Sequence, residues 1–228
     1  MRIMKPELRV LESAELLAAE LAGEVLTAAR EALAARDRFV LAIPGGSVVS
    51  FLARGLPPGV TAEGWHVFWV DERRVPLDHP DSNYRLAAAE LLPRLPGAVA
   101  HPVRGAAAAY EDELRPFLPL DLALLGLGED GHVASLFPGK PELRVTGRLA
   151  VDVADSPKPP PERVTLTLPV LGGARRVLVA AAGAGKAEAI AQILNPTADV
   201  LADAPVPLLM AGGASIHWLL DKAAASLL

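Results

Sequence analysis

The chain contains no cysteine. That excludes disulfides, a cysteine nucleophile and thiolate metal sites. It has no uncharged apolar run of the roughly 18 residues that a membrane-spanning helix needs. The first residues, MRIMKPELRV, lack the apolar core of a secretory signal. No basic tail or basic face is visible, and the formal net charge is −5, which argues against a nucleic-acid binder. There is no HExxH and no close pair of histidines, hence no metal motif. A GxSxG nucleophile elbow is also missing, so a hydrolase built on this chain would use water directly. The expectation is a soluble cytoplasmic protein with no cofactor, no metal, no nucleic-acid or membrane partner and no obligate protein partner.

What is present suits a folded enzyme. The chain has 228 residues, 51% of them hydrophobic and 21% charged with mixed sign, enough apolar surface for a sizeable core. No internal repeat or long linker interrupts it, and residues 1–228 read as one domain. Residues 13–36 predict an amphipathic helix capped by Ser13, with Leu17, Leu21, Val25 and Ala29 on its buried face. Strands are expected at 39–43, 66–70, 121–127, 149–153, 163–168 (half-exposed), 176–182 and 206–212. Helices are expected from Ser47 through Arg54, at 84–92, 106–115 and 187–194, and after Ser215. Residues 71–83 read as a charged loop, and the Pro-rich stretch 155–161 as a stiff hinge or exposed loop. The alternation of strands and helices predicts an α/β fold, a mostly parallel Rossmann-like sheet with helices on both faces.

Four polar or Gly-rich segments directly follow predicted strands: PGGS (44–47), DERR (71–74), GEDGH (128–132) and GAGK (183–186). Carboxyl ends of parallel strands share one edge of a sheet, so segments distant in sequence converge there. Gly45 and Gly46 can expose amides to an anion before a helix; the alternative is a plain turn capped by Ser47. Asp71 and Arg73 can orient a polar substrate, whereas Arg74 reads as structural. His132 lies in a Gly-rich loop two residues after Asp130 and is the best candidate for proton transfer. His66, His79, His101 and His217 read as structural or exposed, with His217 in the last helix.

GAGK is not a P-loop, because positions 180 and 187 are both Ala, yet Lys186 can still meet a phosphate as a point charge. Gly126, Gly128 and Gly131 satisfy a dinucleotide fingerprint, with Asp152 at the expected distance. Pro138, Gly139 and Pro141 leave room for under two turns of the helix that such a site requires, which disfavours this reading.

Several stretches resemble the 6-phosphogluconolactonases: WVDERRVPLDHPDSNY (69–84), LLGLGEDGHVASLFPG (124–139), RVTLTLPVLGGARRVLV (163–179) and GKAEAI (185–190), in that order. IPGGSVV (43–49) resembles the family's Gly-Gly-Ser loop, with Val48 and Val49 in place of its usual Thr-Pro, and Val133 stands where Thr is common. The related glucosamine-6-phosphate deaminases usually carry Ile-Ala-Phe-Asn-Glu after the same histidine, whereas this chain has Ala134-Ser135-Leu136-Phe137-Pro138.

The resemblance implies a sugar-phosphate isomerase-like fold, no required metal, and hydrolysis of 6-phospho-D-glucono-1,5-lactone in the oxidative pentose phosphate pathway. On that reading His132 is the general base, and Asp71 and Arg73 orient the lactone. Gly45, Gly46, Ser47 and Lys186 hold the phosphate; Asp130 and Gly131 also count as substrate-binding residues, with Asp130 fixing either the turn or the imidazole. The competing readings are a deaminase of the glucosamine-6-phosphate type and a sugar-phosphate sensor without turnover.

Overall fold

The computed structural model describes residues 7–195 and 203–228. In chain order the elements are β1 (Glu7–Leu11), α1 (Ala14–Arg36), β2 (Phe39–Ile43), α2 (Ser47–Gly55), β3 (Trp65–Trp69), β4 (Asp71–Arg73) and α3 (Asn83–Glu90). There follow β5 (Val99–His101), α4 (Ala107–Leu114), β6 (Leu122–Gly126), β7 (Ala150–Val153), β8 (Arg163–Leu166) and α5 (Leu168–Gly172). The last are β9 (Val177–Ala181), α6 (Ala187–Leu194), α7 (Pro205–Ala211) and β10 (Ile216–Asp221).

Seven strands form one parallel sheet in the order β1-β10-β9-β6-β2-β3-β5. Every residue of β2 and of β9 is buried, so the centre of this sheet is covered on both faces, as the uninterrupted apolar runs FVLAI and VLVAA require. A second sheet is small and antiparallel, in the order β4-β8-β7.

Local chemistry explains the longest helix. The Ser13 hydroxyl accepts from the Leu16 amide at 3.3 Å, and Asp37, at φ 54°, ends α1 by donating its N–H to Leu33. Leu17, Leu21, Val25, Ala29 and Ala32 are buried along one face, and the helix packs on α2, β2 and β10. Burying each of these leucines is worth about 1.5–3 kcal/mol.

Four expectations need correction. Asp71–Arg73 is a strand, not loop: β3 runs out of the large sheet through Val70, and Asp71 pairs with Thr165 of β8. The β8 segment is wholly buried rather than half-exposed, because it is the middle strand of its sheet and its Arg163 and Thr165 find hydrogen-bond partners inside. Residues 206–212 lie mostly in helix α7, with Pro205 in its first turn, where a missing N–H costs nothing. The segment after Ser215 is β10, not a helix, so His217 is on a strand and pairs with Glu7 at 3.3 Å. The edge strands β1 and β5 were not anticipated; they are short, and all but Leu11 of β1 is exposed.

One hydroxyl completes the sheet beside the future site. β5 pairs with β3 only as far as Phe68, which leaves Trp69 without a strand on that side. The Tyr110 hydroxyl takes its place, accepting from the Trp69 N–H at 2.7 Å and donating to its carbonyl at 2.8 Å. Tyr110→Phe orphans both buried groups. Denaturant unfolding is expected to show a loss of about 1–3 kcal/mol, and an unchanged midpoint would refute this role.

Candidate active site

Parallel register lines up the carboxyl ends of β2, β3, β6 and β9: Ile43 lies beside Trp69, and Gly126 beside Ala180. The segments that leave these ends meet, and their glycines show how closely. A Cβ on Gly45 would fall 1.9 Å from Oδ1 of Asn83, so the first segment packs against the start of α3. A Cβ on Gly185 would fall 2.9 Å from Glu129, so the fourth packs against the third.

The third segment is a closed turn. The Gly128 N–H donates to the His132 carbonyl at 2.8 Å, and the Gly131 N–H donates to the Gly128 carbonyl at 3.0 Å. This folds His132 back so that its Nδ1 lies 2.5 Å from Oδ1 of Asp130. The ring of Phe137 packs on the imidazole, centroid to centroid 4.6 Å, and the His132 side chain is only 16% exposed. With Nδ1–H donated to the carboxylate, the neutral imidazole carries its lone pair on Nε2, which has no hydrogen-bond partner among the described residues. Burial pushes the imidazole below its ordinary value, against the pull of the Asp130 hydrogen bond and charge. Burial also raises Asp130, but the hydrogen bond and charge of His132, with help from Lys158, outweigh it and hold the carboxyl below its usual range. The pair is therefore a neutral base beside a carboxylate at pH 7.

The second segment carries four carboxylate or guanidinium groups with separate fates. Asp71 is 5% exposed; its Oδ2 accepts from the Ser135 hydroxyl at 2.6 Å, and its backbone carbonyl accepts from Asn83 Nδ2 at 2.9 Å. Glu72, read from the sequence only as part of the charged DERR run, is buried and accepts from the amides of Arg73, Asn83 and Tyr84 and from the Ser82 hydroxyl. It fastens the loop to the first turn of α3. The Arg73 guanidinium donates to the Asp81 carbonyl at 2.7 Å and, among the described residues, makes no hydrogen bond or ion pair to Asp71, Asp130 or His132. Arg74 is exposed and faces Asp152 at 3.6 Å, in keeping with a structural role.

The first and fourth segments supply the anion-binding candidates. Gly46, at φ 70°, precedes α2, and no side chain caps that helix, so its leading amides lack a side-chain acceptor; Ser47 is the first helical residue and is exposed. Val48 is buried against Gly126, which seats α2 on the end of β6. Lys186 ends a 3-10 turn, Ala184–Lys186, with Nζ 4.0 Å from Glu129.

Sequence reasoning missed Asn83, Ser135 and Arg163. Ser135 is presented by Ala134, which takes the left-handed conformation at φ 52° and turns the chain so that Ser135 reaches both Asp71 and Thr165. Arg163 is 3% exposed and sits 4.0 Å from Asp71. The other histidines stay out of the site: His66 and His101 bond each other at 3.0 Å on β3 and β5, and His79 pairs with Asp81. No group of three or more His, Asp or Glu among the described residues is arranged to hold a metal. No described helix is long and apolar enough to cross a membrane.

A parallel α/β sheet with a histidine–carboxylate pair at its carboxyl edge, beside the uncapped start of a helix and a lysine, has the layout of an enzyme active site. The sequence model of the glucosamine-6-phosphate isomerases/6-phosphogluconolactonase family matches residues 12–218, and the chain belongs to that family. It is 42% identical to the 6-phosphogluconolactonase of Homo sapiens over 240 residues, spanning 96% of this chain and 92% of the human one. Among solved structures it resembles the 6-phosphogluconolactonase of Leishmania guyanensis, at 27% identity and TM-score 0.83 over 97% of this chain and 98% of that one. It also resembles the 6-phosphogluconolactonase of Thermotoga maritima, at 29% identity and TM-score 0.77 over 95% and 99%.

The closed turn tolerates no side chain at its first glycine. A Cβ on Gly128 would lie 2.0 Å from His132 Nδ1 and 2.5 Å from Asp130 Oδ1. Gly128→Ala is expected to fold but to break the Asp130–His132 bond. Imidazole NMR would show the loss of the hydrogen-bonded Nδ1 proton, and an unchanged resonance would contradict the geometry.

Proposed function

We propose that this chain is a 6-phosphogluconolactonase that opens 6-phospho-D-glucono-1,5-lactone to 6-phosphogluconate, a step of the oxidative pentose phosphate pathway, with His132 as general base. The observation that carries the mechanism is the Asp130–His132 pair, whose Nδ1 is engaged and whose Nε2 has no hydrogen-bond partner among the described residues. The extensive likeness to 6-phosphogluconolactonases supports the substrate.

In the first step Nε2 of His132 takes a proton from water as the water oxygen bonds to C1 of the lactone, and the carbonyl electrons move onto oxygen. In the second, the carbonyl re-forms, the C1–ring oxygen bond breaks, and the imidazolium returns its proton to the departing ring oxygen. The carboxylic acid so formed loses its proton to solvent. Asp130 keeps the imidazole in the correct tautomer and stabilises the imidazolium between the two steps. Such base catalysis is worth about 10²–10⁴-fold.

The phosphate is assigned to the Gly45–Gly46–Ser47 amides at the start of α2 and to Lys186. A cleft of about 390 Å³ beside the same turn is lined by Glu129, Asp130, Glu188 and Asp203, carboxylates that would repel a phosphate, which favours the α2 amides over that cleft. Arg73 is free to swing from the Asp81 carbonyl toward charge developing on the lactone oxygen. Asp71 acts through Ser135, holding the segment that follows His132, with Gly131 providing the turn. The whole chain works as one lactonase domain, and a cytoplasmic location fits a substrate of central sugar metabolism.

His132→Ala is expected to lower kcat about 10²–10⁴-fold with little change in stability. For the parent, kcat/KM falls as the pH drops through the imidazole value, and burial places this acid limb below the ordinary midpoint of about 6.5. Near-normal turnover by folded His132→Ala, or a parent with no acid limb, would remove His132 from the mechanism. Lys186→Ala should raise KM with kcat nearly kept, and an unchanged KM would leave it a surface lysine.

A further inference from the structure

Arg163 has no part in the chemistry above, yet it is a buried cation that reaches the site from β8. Its Nε donates to the Pro160 carbonyl at 3.0 Å, and its Nη2 to the carbonyls of Lys158 at 2.8 Å and Pro159 at 3.3 Å. Its Nη1 donates to the Ser135 hydroxyl at 3.3 Å. The guanidinium thus ties the Pro-rich segment 155–161 to the Asp71–Ser135 contact. Ser156, also buried, donates its hydroxyl to the Lys158 carbonyl at 2.9 Å and accepts the Lys158 N–H at 3.2 Å.

The backbone of Lys158 is therefore fixed on both its polar groups, and the prolines on either side of it limit it further. Its side chain, 45% exposed, brings Nζ to 3.4 Å from Oδ1 of Asp130, the same oxygen that holds His132 Nδ1. An ordinary surface ion pair contributes little, since ordering two long side chains offsets the attraction. Here the anchor is ordered by buried groups, and the carboxylate is shared with an imidazole.

We propose that Lys158 is a positioning residue for proton transfer: anchored through Arg163, it shares Asp130 with His132 and opposes the imidazolium. The proposal rests on the reading of His132 as general base. The ammonium opposes an imidazolium directly and also offsets the attraction of Asp130 for it, so both effects have one sign. The charges facing His132 are Asp130 on its own turn, Asp71 from β4 and Lys158 from the Pro-rich segment, with the apolar ring of Phe137 against the imidazole. The two carboxylates favour the imidazolium; Lys158 and burial oppose it. Glu129, on the same turn, faces Lys186 instead.

The test needs no substrate. The His132 imidazole is titrated by NMR in the parent and in Lys158→Met, Lys158→Arg and Asp130→Asn. Lys158→Met should move the midpoint up by about half a pH unit, Lys158→Arg should restore it, and Asp130→Asn should move it down. The Lys158→Met shift should shrink at high salt, because the pair is partly exposed. Kinetics on the same variants should show the acid limb of kcat/KM moving with the NMR midpoint. A midpoint unmoved in Lys158→Met overturns the proposal, even if KM rises, for Lys158 would then be a substrate contact only. A midpoint that moves while the acid limb stays fixed contradicts the general-base reading, and the proposal with it.

Discussion

The hydrogen bond from Ser135 to Asp71 spans 64 residues and joins the loop that follows β6 to the start of β4. Around it the rest of the site is assembled. Asn83 grips the Asp71 backbone from α3 and packs against Gly45; Arg163 reaches Ser135 from β8; Thr165 accepts the Ser135 amide. Every group in this knot is buried, so none can be removed without leaving a polar partner unsatisfied away from water. A left-handed alanine at position 134 is the conformational cost of reaching it, of the order of 1 kcal/mol. The Asp130–His132 turn sits immediately before this fixed point, and its aim depends on it.

The electrostatics follow from the same arrangement. A histidine in an apolar pocket alone would resist protonation and make a weak base in the first half of a hydrolysis. A histidine exposed beside a carboxylate would be charged too readily to act as a base. His132 lies between these limits: Phe137 and burial act one way, Asp130 and Asp71 the other. The site edge also carries both signs: uncapped amides at the start of α2 on one segment, and on another Lys186, whose Nζ lies 4.0 Å from Glu129, one of the carboxylates that line the neighbouring cleft.

Much of this was legible from residues alone. FVLAI and VLVAA are buried strands because both faces are covered, and an apolar run without alternation says so. His132 and Asp130 stood out because a Gly-rich turn after a parallel strand falls on the one edge where such sheets bind ligands. The roles of Ser135, Asn83 and Arg163 were hidden, since each rests on contacts between segments distant in sequence that no local pattern encodes. The C-terminal elements were exchanged for a different reason. PVPLLMA and IHWLLD are both short and apolar, and periodicity alone does not separate a buried helix turn from a buried strand. Strand 163–168 looked half-exposed because alternation is blind to a charge, here Arg163, that finds carbonyls inside.

The central claim is that this edge hydrolyses a phosphorylated sugar lactone. The most direct measurement follows the opening of freshly generated 6-phosphogluconolactone at neutral pH, with the spontaneous rate subtracted and glucosamine 6-phosphate offered in parallel. The account predicts catalytic lactone opening and no release of ammonia from the amino sugar. A folded protein that leaves the lactone at its spontaneous rate, or that releases ammonia instead, would contradict it.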